Sequence, residues 1–194
     1  MTNIRSAALA ALVSAFALPA SASLIDFEDL SDGDVVTNQF AGVTFSSIGS
    51  GVNKVTTQPG IGFGNNFICT AASAQATIDC AGETILTFDT GVSGLSFFQV
   101  GDNNTGIGAQ VDVFTGGVFA STVDIQVFDT FNTPDLVDLT AFSNVTSIRI
   151  YNVTDPGGLG WDNFSFDTAV VPLPATALLM LAGLGGLAAV RRKR

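Results

Sequence analysis

Histidine is absent from this 194-residue chain, and the chain contains one tryptophan, one tyrosine and two cysteines. Without histidine the chain lacks the side chain that most often acts as a general base or binds zinc. It also lacks the Gly-x-Ser-x-Gly elbow that carries the nucleophile in many hydrolases. These absences predict a protein that is not an enzyme. A hydrolase that depends on paired aspartates is the less favoured alternative.

Basic residues are scarce and unevenly placed. All 17 acidic residues lie between positions 23 and 169, where Lys54 and Arg149 are the only basic ones, so this part has a net charge of −15. A surface this acidic repels nucleic acid and attracts cations. We therefore expect no nucleic-acid partner. The same acidity also suits a solubilising or salt-adapted surface that binds no particular metal.

Residues 1–22 have the pattern of a secretory signal peptide. Arg5 supplies a positive charge, an apolar segment runs from Ala7 to Leu18, and small residues at positions 20–22 form a cleavage site. We expect cleavage before Ser23. The part that remains after both ends are set aside, residues 23–169, has the length of one domain.

Residues 170–194 combine three features in a fixed order. A proline-containing pentapeptide consists of Val171, Pro172, Leu173, Pro174 and Ala175. An apolar run then reaches Val190, broken only by Thr176, and is followed by the basic residues Arg191, Arg192, Lys193 and Arg194. A helix over 175–190 would be about 24 Å long, slightly short of a hydrocarbon core of about 30 Å, so it would cross the bilayer with little tilt. The basic cluster would then stay on the cytoplasmic side.

This arrangement resembles the PEP-CTERM sorting signal of exported bacterial proteins, in its VPLPA variant. The resemblance implies export, brief anchoring in the inner membrane with the C-terminus in the cytoplasm, and processing by an exosortase-type enzyme. Delivery to the cell surface or the extracellular matrix would follow. A permanent membrane anchor that is never cut is the alternative.

Residues 23–169 show strand patterns and no sustained helical period. Ile148 and Ile150, and again Phe164 and Phe166, recur at the period of two that a half-buried strand requires. Glycine-, aspartate- and asparagine-rich turns separate the segments. We predict an all-β fold, an antiparallel β-sandwich, with strands at 25–27, 43–47, 84–88, 95–100, 110–114, 118–127, 145–151 and 161–166. Residues 59–66 are rich in glycine and are predicted to form a long loop.

The two ends of this part resemble exported jelly-roll domains that carry the same sorting signal. The opening segment 25–45 and the closing segment 158–166 support the resemblance, and such domains are similar in outline to carbohydrate-binding β-sandwich modules. In those modules an acid after the first strand and an aspartate that opens the last strand often share a structural calcium ion. By position, the resemblance implies Glu28 and Asp162 as calcium ligands.

Two further expectations concern the cysteines and the tryptophan. Cys69 and Cys80 form an even pair in an exported segment, which predicts a structural disulfide. Trp161 follows a glycine-rich segment that could present its ring to a sugar, although packing in the core is the more favoured role.

The sequence therefore predicts an exported surface or matrix protein with a structural or adhesive role linked to exopolysaccharide. A carbohydrate-binding module that uses Trp161 is the alternative function. The expected partners are the processing enzyme and extracellular polysaccharide.

Overall fold

The computed structural model describes residues 22–71 and 79–168, which belong to one compact unit, Ser21–Ala169. Regular structure in these ranges consists of ten strands, which confirms the all-β class. They are β1 Ala22–Ile25, β2 Val43–Ser46, β3 Val52–Thr57, β4 Asn66–Ala71, β5 Thr84–Val100, β6 Thr105–Thr115, β7 Val118–Phe128, β8 Asp135–Asp138, β9 Val145–Tyr151 and β10 Gly160–Thr168.

The predicted signal peptide, sorting pentapeptide, transmembrane helix and basic tail lie outside the described residues. Within the described ranges, no helix has the length and apolar character needed to span a membrane.

The ten strands form one hydrogen-bonded sheet, and strand β5 divides it into the two halves that make the layers of the sandwich. All pairings of β5 are antiparallel. Its first half pairs with β2 and β9, and β9 continues through β6 to β7; we call this the back sheet. Its second half pairs with β8 and β10, and β10 continues to β1 and β4, and β4 to β3; we call this the front sheet. The register of β5 shifts between Thr87 and Val92, and Gly94 follows with a φ of 63°. The chain passes from one sheet to the other at this irregularity.

Phenylalanine dominates the core between the sheets, as the composition suggested. Phe97 of the front sheet stacks on Phe164 with ring centroids 5.0 Å apart, and Phe27 packs edge-on against Phe164 at 6.1 Å. The back sheet contributes aliphatic side chains at alternate positions, such as Ile148 and Ile150, which are fully buried. The alternation places the intervening residues on the outer faces of the sandwich.

The strand predictions were largely confirmed, with two kinds of error. The segments 84–88 and 95–100 were predicted as separate strands, but they are parts of the single strand β5. Strands β3, β4 and β8 were not predicted. All six residues of β4 are buried, so it shows no alternation, and β8 has only four residues with an aspartate at each end.

The first and last strands pair with each other, as the calcium prediction required. Ile25 of β1 lies opposite Phe164 of β10. The predicted disulfide is also present, joining Cys69 of β4 to Cys80 with Cα atoms 4.7 Å apart.

Candidate functional site around the loop between β3 and β4

Residues 58–65 connect β3 to β4, and we call this segment the Phe63 loop. It is closed at its base, where the amide of Gln58 donates to the carbonyl oxygen of Asn65 at 2.8 Å. Gly60 and Gly62 have φ values of 86° and 81°, a region that other residues rarely adopt. Ile61 is buried beside Val100 and anchors the loop to the sheet. The loop therefore has a defined conformation although it contains no strand or helix.

Glu28 holds one side of the Phe63 loop. Its Oε1 accepts hydrogen bonds from the backbone amides of Asn65 and Asn66, both at 2.9 Å. A side chain at position 64 would collide with this carboxylate, so Gly64 is required for the close approach. A carboxylate that accepts two amide hydrogen bonds fixes the backbone more firmly than a neutral acceptor would.

Asp162 holds the other side. Its Oδ2 accepts a hydrogen bond from the amide of Phe63 at 3.2 Å, and its Oδ1 accepts one from the amide of Asn163 at 2.7 Å. A Cβ atom at Gly62 would lie 2.8 Å from Oδ2, so this position also needs glycine. Asp162 is 1% exposed. The loop thus rests directly on a buried carboxylate.

The electrostatic environment of Asp162 disfavours its ionised form. Burial raises the pKa of this carboxyl to about 6, against the opposing effect of the two amide hydrogen bonds. The negative charges of Glu28 and Asp26 raise the pKa further. Three carboxylates therefore share one region at the end of the front sheet.

The structure brings Glu28 and Asp162 to the same loop, but the contacts that it shows are hydrogen bonds from backbone amides. Among residues 22–71 and 79–168, no group of three or more histidine, cysteine or acidic side chains is arranged to hold a metal ion. The two carboxylates still suit a calcium ion chemically, since they repel each other and offer oxygen ligands. The calcium site stays a prediction.

Core packing, the role that the sequence favoured for Trp161, is confirmed, and the alternative that its ring is presented to a sugar is wrong. Trp161 is 1% exposed and packs edge-on against Phe97, with ring centroids 6.0 Å apart. Strict alternation from Phe164 and Phe166 would turn residue 161 outward. A register shift between Asp162 and Ser165, with Asn163 at a φ of 48°, places it inward instead.

Exposed aromatic surface lies on the Phe63 loop, and no site residue was predicted in this loop from the sequence. Phe63 is 52% exposed, and its ring lies 4.4 Å from the ring of Phe98 on the outer face of the front sheet. Leu136, 57% exposed, lies directly opposite Phe98 in the pairing of β5 with β8. We call Phe63, Phe98 and Leu136 the front-face patch. The signal in the sequence was a phenylalanine between two glycines in a turn-rich segment.

Comparison with protein-family models matches residues 170–194 to the PEP-CTERM protein-sorting motif. Comparison with curated proteins gives no match.

Among solved structures, the K2 cleaved adhesin domain of Lys-gingipain is similar with a TM-score of 0.50 and 11% sequence identity, over 76% of this chain and 100% of that one. A carbohydrate-binding module from Cellvibrio mixtus lichenase 5A, in complex with cellotriose, gives a TM-score of 0.34 and 14% identity, over 76% and 97% of the two chains. At 11% identity the likeness to the adhesin domain concerns the fold alone. The chain therefore combines a β-sandwich body with a PEP-CTERM sorting motif at residues 170–194.

Proposed function

We propose that this protein is exported, processed by an exosortase-type enzyme and delivered to the cell surface or extracellular matrix. There it has a structural or adhesive role in a layer associated with exopolysaccharide. The observation that supports this proposal best is the PEP-CTERM motif at residues 170–194. The role is not catalytic in this proposal, and the lack of histidine agrees with it.

Each segment has a part in this route. Residues 1–22 direct export and are removed, and residues 175–190 hold the chain in the inner membrane. The cluster Arg191–Arg194 keeps the C-terminus in the cytoplasm. The pentapeptide 171–175 is the segment that the processing enzyme recognises in this proposal.

Calcium has a structural part in the proposal. Burial, and to a smaller extent the charges of Glu28 and Asp26, raise the pKa of Asp162, and an ion held by Glu28 and Asp162 would offset both effects. The requirement for oxygen ligands would be met by these carboxylates together with nearby carbonyl groups. The ion would stabilise the region from which the Phe63 loop projects.

The sorting step can be tested by expressing the full chain in a bacterium with an exosortase-type enzyme and in the same strain without it. We expect a shortened, surface-labelled product only in the first strain. Replacing Arg191, Arg192, Lys193 and Arg194 by neutral residues should abolish both retention and correct processing. Unaltered processing and surface delivery of that variant would contradict the role of the basic cluster.

Carbohydrate binding is the second candidate function, and the front-face patch is the observation that favours it. Phe63 and Leu136 are large apolar side chains that are more than half exposed on one face. Exposed contiguous apolar groups of this kind mark interaction sites more often than isolated ones do.

A further inference from the structure

We propose that the front-face patch is a binding platform for a neutral polysaccharide, with the ring of Phe63 stacked on the apolar C–H face of a sugar unit. This inference deepens the proposed surface role and rests on it for its biological setting. In this proposal the ring that stacks on the sugar is that of Phe63, which solvent can reach, and not that of Trp161, which is buried.

The first argument is the way in which the Phe63 ring is presented. A phenylalanine that is half exposed leaves unfavourable apolar surface in water. The fold nevertheless fixes the backbone of the loop through Asp162 at the amide of Phe63 and Glu28 at the end of the loop, and the ring itself packs against Phe98. A fixed ring loses little conformational entropy when a ligand stacks on it. The structure thus provides a preorganised aromatic surface.

The second argument is the size of the patch. An aromatic side chain carries about 150–250 Å² of surface, so three partly exposed side chains offer roughly 200–300 Å². A stable protein partner needs about 800 Å² on each side. One or two sugar units match the smaller area, and a second copy of the chain does not.

The third argument is the polar surroundings of the patch. The next pair in the register of β5 with β8 is Ser96 opposite Asp138 on the same outer face. Asp138 is exposed, and its Oδ1 accepts a hydrogen bond from the amide of Thr140 at 2.9 Å. A hydroxyl and a carboxylate beside exposed rings can bind the hydroxyl groups of a sugar while the rings contact its C–H face.

Charge selects the class of polysaccharide. The part of the chain between residues 23 and 169 has 17 acidic residues against two basic ones. A polymer of uronic acids would be repelled over the whole surface, and most strongly at low ionic strength. The platform therefore takes an uncharged polysaccharide.

The test measures binding of the full chain, held in lipid nanodiscs, to immobilised neutral polysaccharides (a β-glucan, a mannan and a galactan), with alginate as the anionic comparison. We expect binding to at least one neutral polymer and none to alginate. Phe63→Ala should weaken the binding at least tenfold, and Phe63→Trp should preserve it. Phe119→Ala is the matched control, because Phe119 is 54% exposed but belongs to β7 of the back sheet. This control should bind as the unaltered chain does.

The proposal is overturned if no neutral polymer binds, if alginate alone binds, or if Phe63→Ala and Phe119→Ala behave alike. The Phe63→Ala chain should also be processed and delivered to the surface normally. Correct delivery without glycan binding would reject the platform and leave the sorting proposal intact. Glycan binding by a chain that is not delivered would reject the sorting proposal and leave the platform intact.

Discussion

The outer faces of the two sheets differ in how they use their side chains. On the back sheet, Arg149 of β9 donates from Nε and Nη2 to the carboxylate of Glu83 at 2.8 and 3.0 Å. The guanidinium carbon of Arg149 also lies 4.6 Å from the ring centroid of Tyr151. On the front sheet, the front-face patch presents two phenylalanine rings and a leucine with no such network. The region around Arg149 is polar and self-paired, whereas the front-face patch is apolar and open to solvent.

A second group on the back face shows the same self-pairing. Asp112 of β6 accepts hydrogen bonds from the hydroxyl groups of Tyr151 at 3.2 Å and Thr122 at 2.6 Å. Gln110, next along the outer face of β6, donates to Asp124 at 3.0 Å. Side chains that already bind one another have little capacity left for a ligand. Exposed polar side chains are therefore a weaker sign of a binding site in this molecule than a fixed, exposed ring.

The strongest expected contrast is between Trp161 and Phe63, since one aromatic ring is buried and the other is half exposed. Trp161→Ala should lower the free energy of unfolding by about 3–5 kcal/mol, because it leaves a large cavity in the core. Phe63→Ala should lower it by less than about 1 kcal/mol. Urea unfolding followed by circular dichroism would measure both values. Similar losses for the two variants would contradict the division between core and platform.

The second contrast concerns the disulfide, which lies on the front side of the molecule. The bridge between Cys69 and Cys80 closes a loop with a sequence separation of 11. Replacing both cysteines by serine should lower the free energy of unfolding by about 2–3 kcal/mol in the chain-entropy model. The same urea titration measures it, with dithiothreitol-treated unaltered protein as the control. A loss far below that of the reduced control would show that the serine side chains restore the structure by other contacts.

The fold class and the disulfide could be predicted because they depend on local pattern and composition. The alternation of Ile148 and Ile150 indicates a half-buried strand. Two cysteines in an exported segment can form only one disulfide. Strict alternation from Phe164 and Phe166 would have placed Trp161 on the outer face, and the bulge at Asn163 that turns it into the core leaves no local mark in the sequence.

The site was predicted in part for a similar reason. Glu28 and Asp162 were expected to approach each other because the first and last strands pair, and both indeed hold the Phe63 loop. These carboxylates can reach the backbone amides of the loop because glycines at positions 62 and 64 leave room for them. Phe98 and Leu136 become neighbours only through the pairing of β5 with β8, and β8 itself was not predicted.

A third prediction concerns calcium at the carboxylates beneath the platform. A cation that binds only the folded state adds about 2.7 kcal/mol to its stability at a hundred times Kd. Calcium should therefore raise the melting temperature more than sodium does at the same ionic strength. Asp162→Asn should remove most of that increment while the protein stays folded. Equal effects of calcium and sodium would reject the calcium prediction.

The pH dependence of the same variant sharpens the test when calcium is removed with a chelator. The pKa of Asp162 is raised from 3.8 to about 6, so the folded state binds more protons than the unfolded state between these values. The contribution of Asp162 to stability should then fall as pH rises from about 4 to about 6. Asp162→Asn should flatten this part of the curve, as measured by urea midpoints at several pH values. An unchanged slope in the variant would show that other carboxylates set the pH dependence.

The smallest expected effect on stability concerns an ion pair on the back face. It also tests whether glycan binding depends on that face. Arg149 and Glu83 form a two-pronged ion pair, but their side chains are 34% and 31% exposed, so solvent screens much of the attraction. A double-mutant cycle with Arg149→Ala and Glu83→Ala should give a coupling of about 0.5–1 kcal/mol in the free energy of unfolding. Raising the salt concentration should reduce this coupling. Neither variant should alter glycan binding, because Arg149 belongs to the back sheet and Glu83 directly precedes the half of β5 that pairs with it. Loss of glycan binding in Arg149→Ala with an unchanged melting temperature would show that the binding site lies near Arg149 on the back sheet.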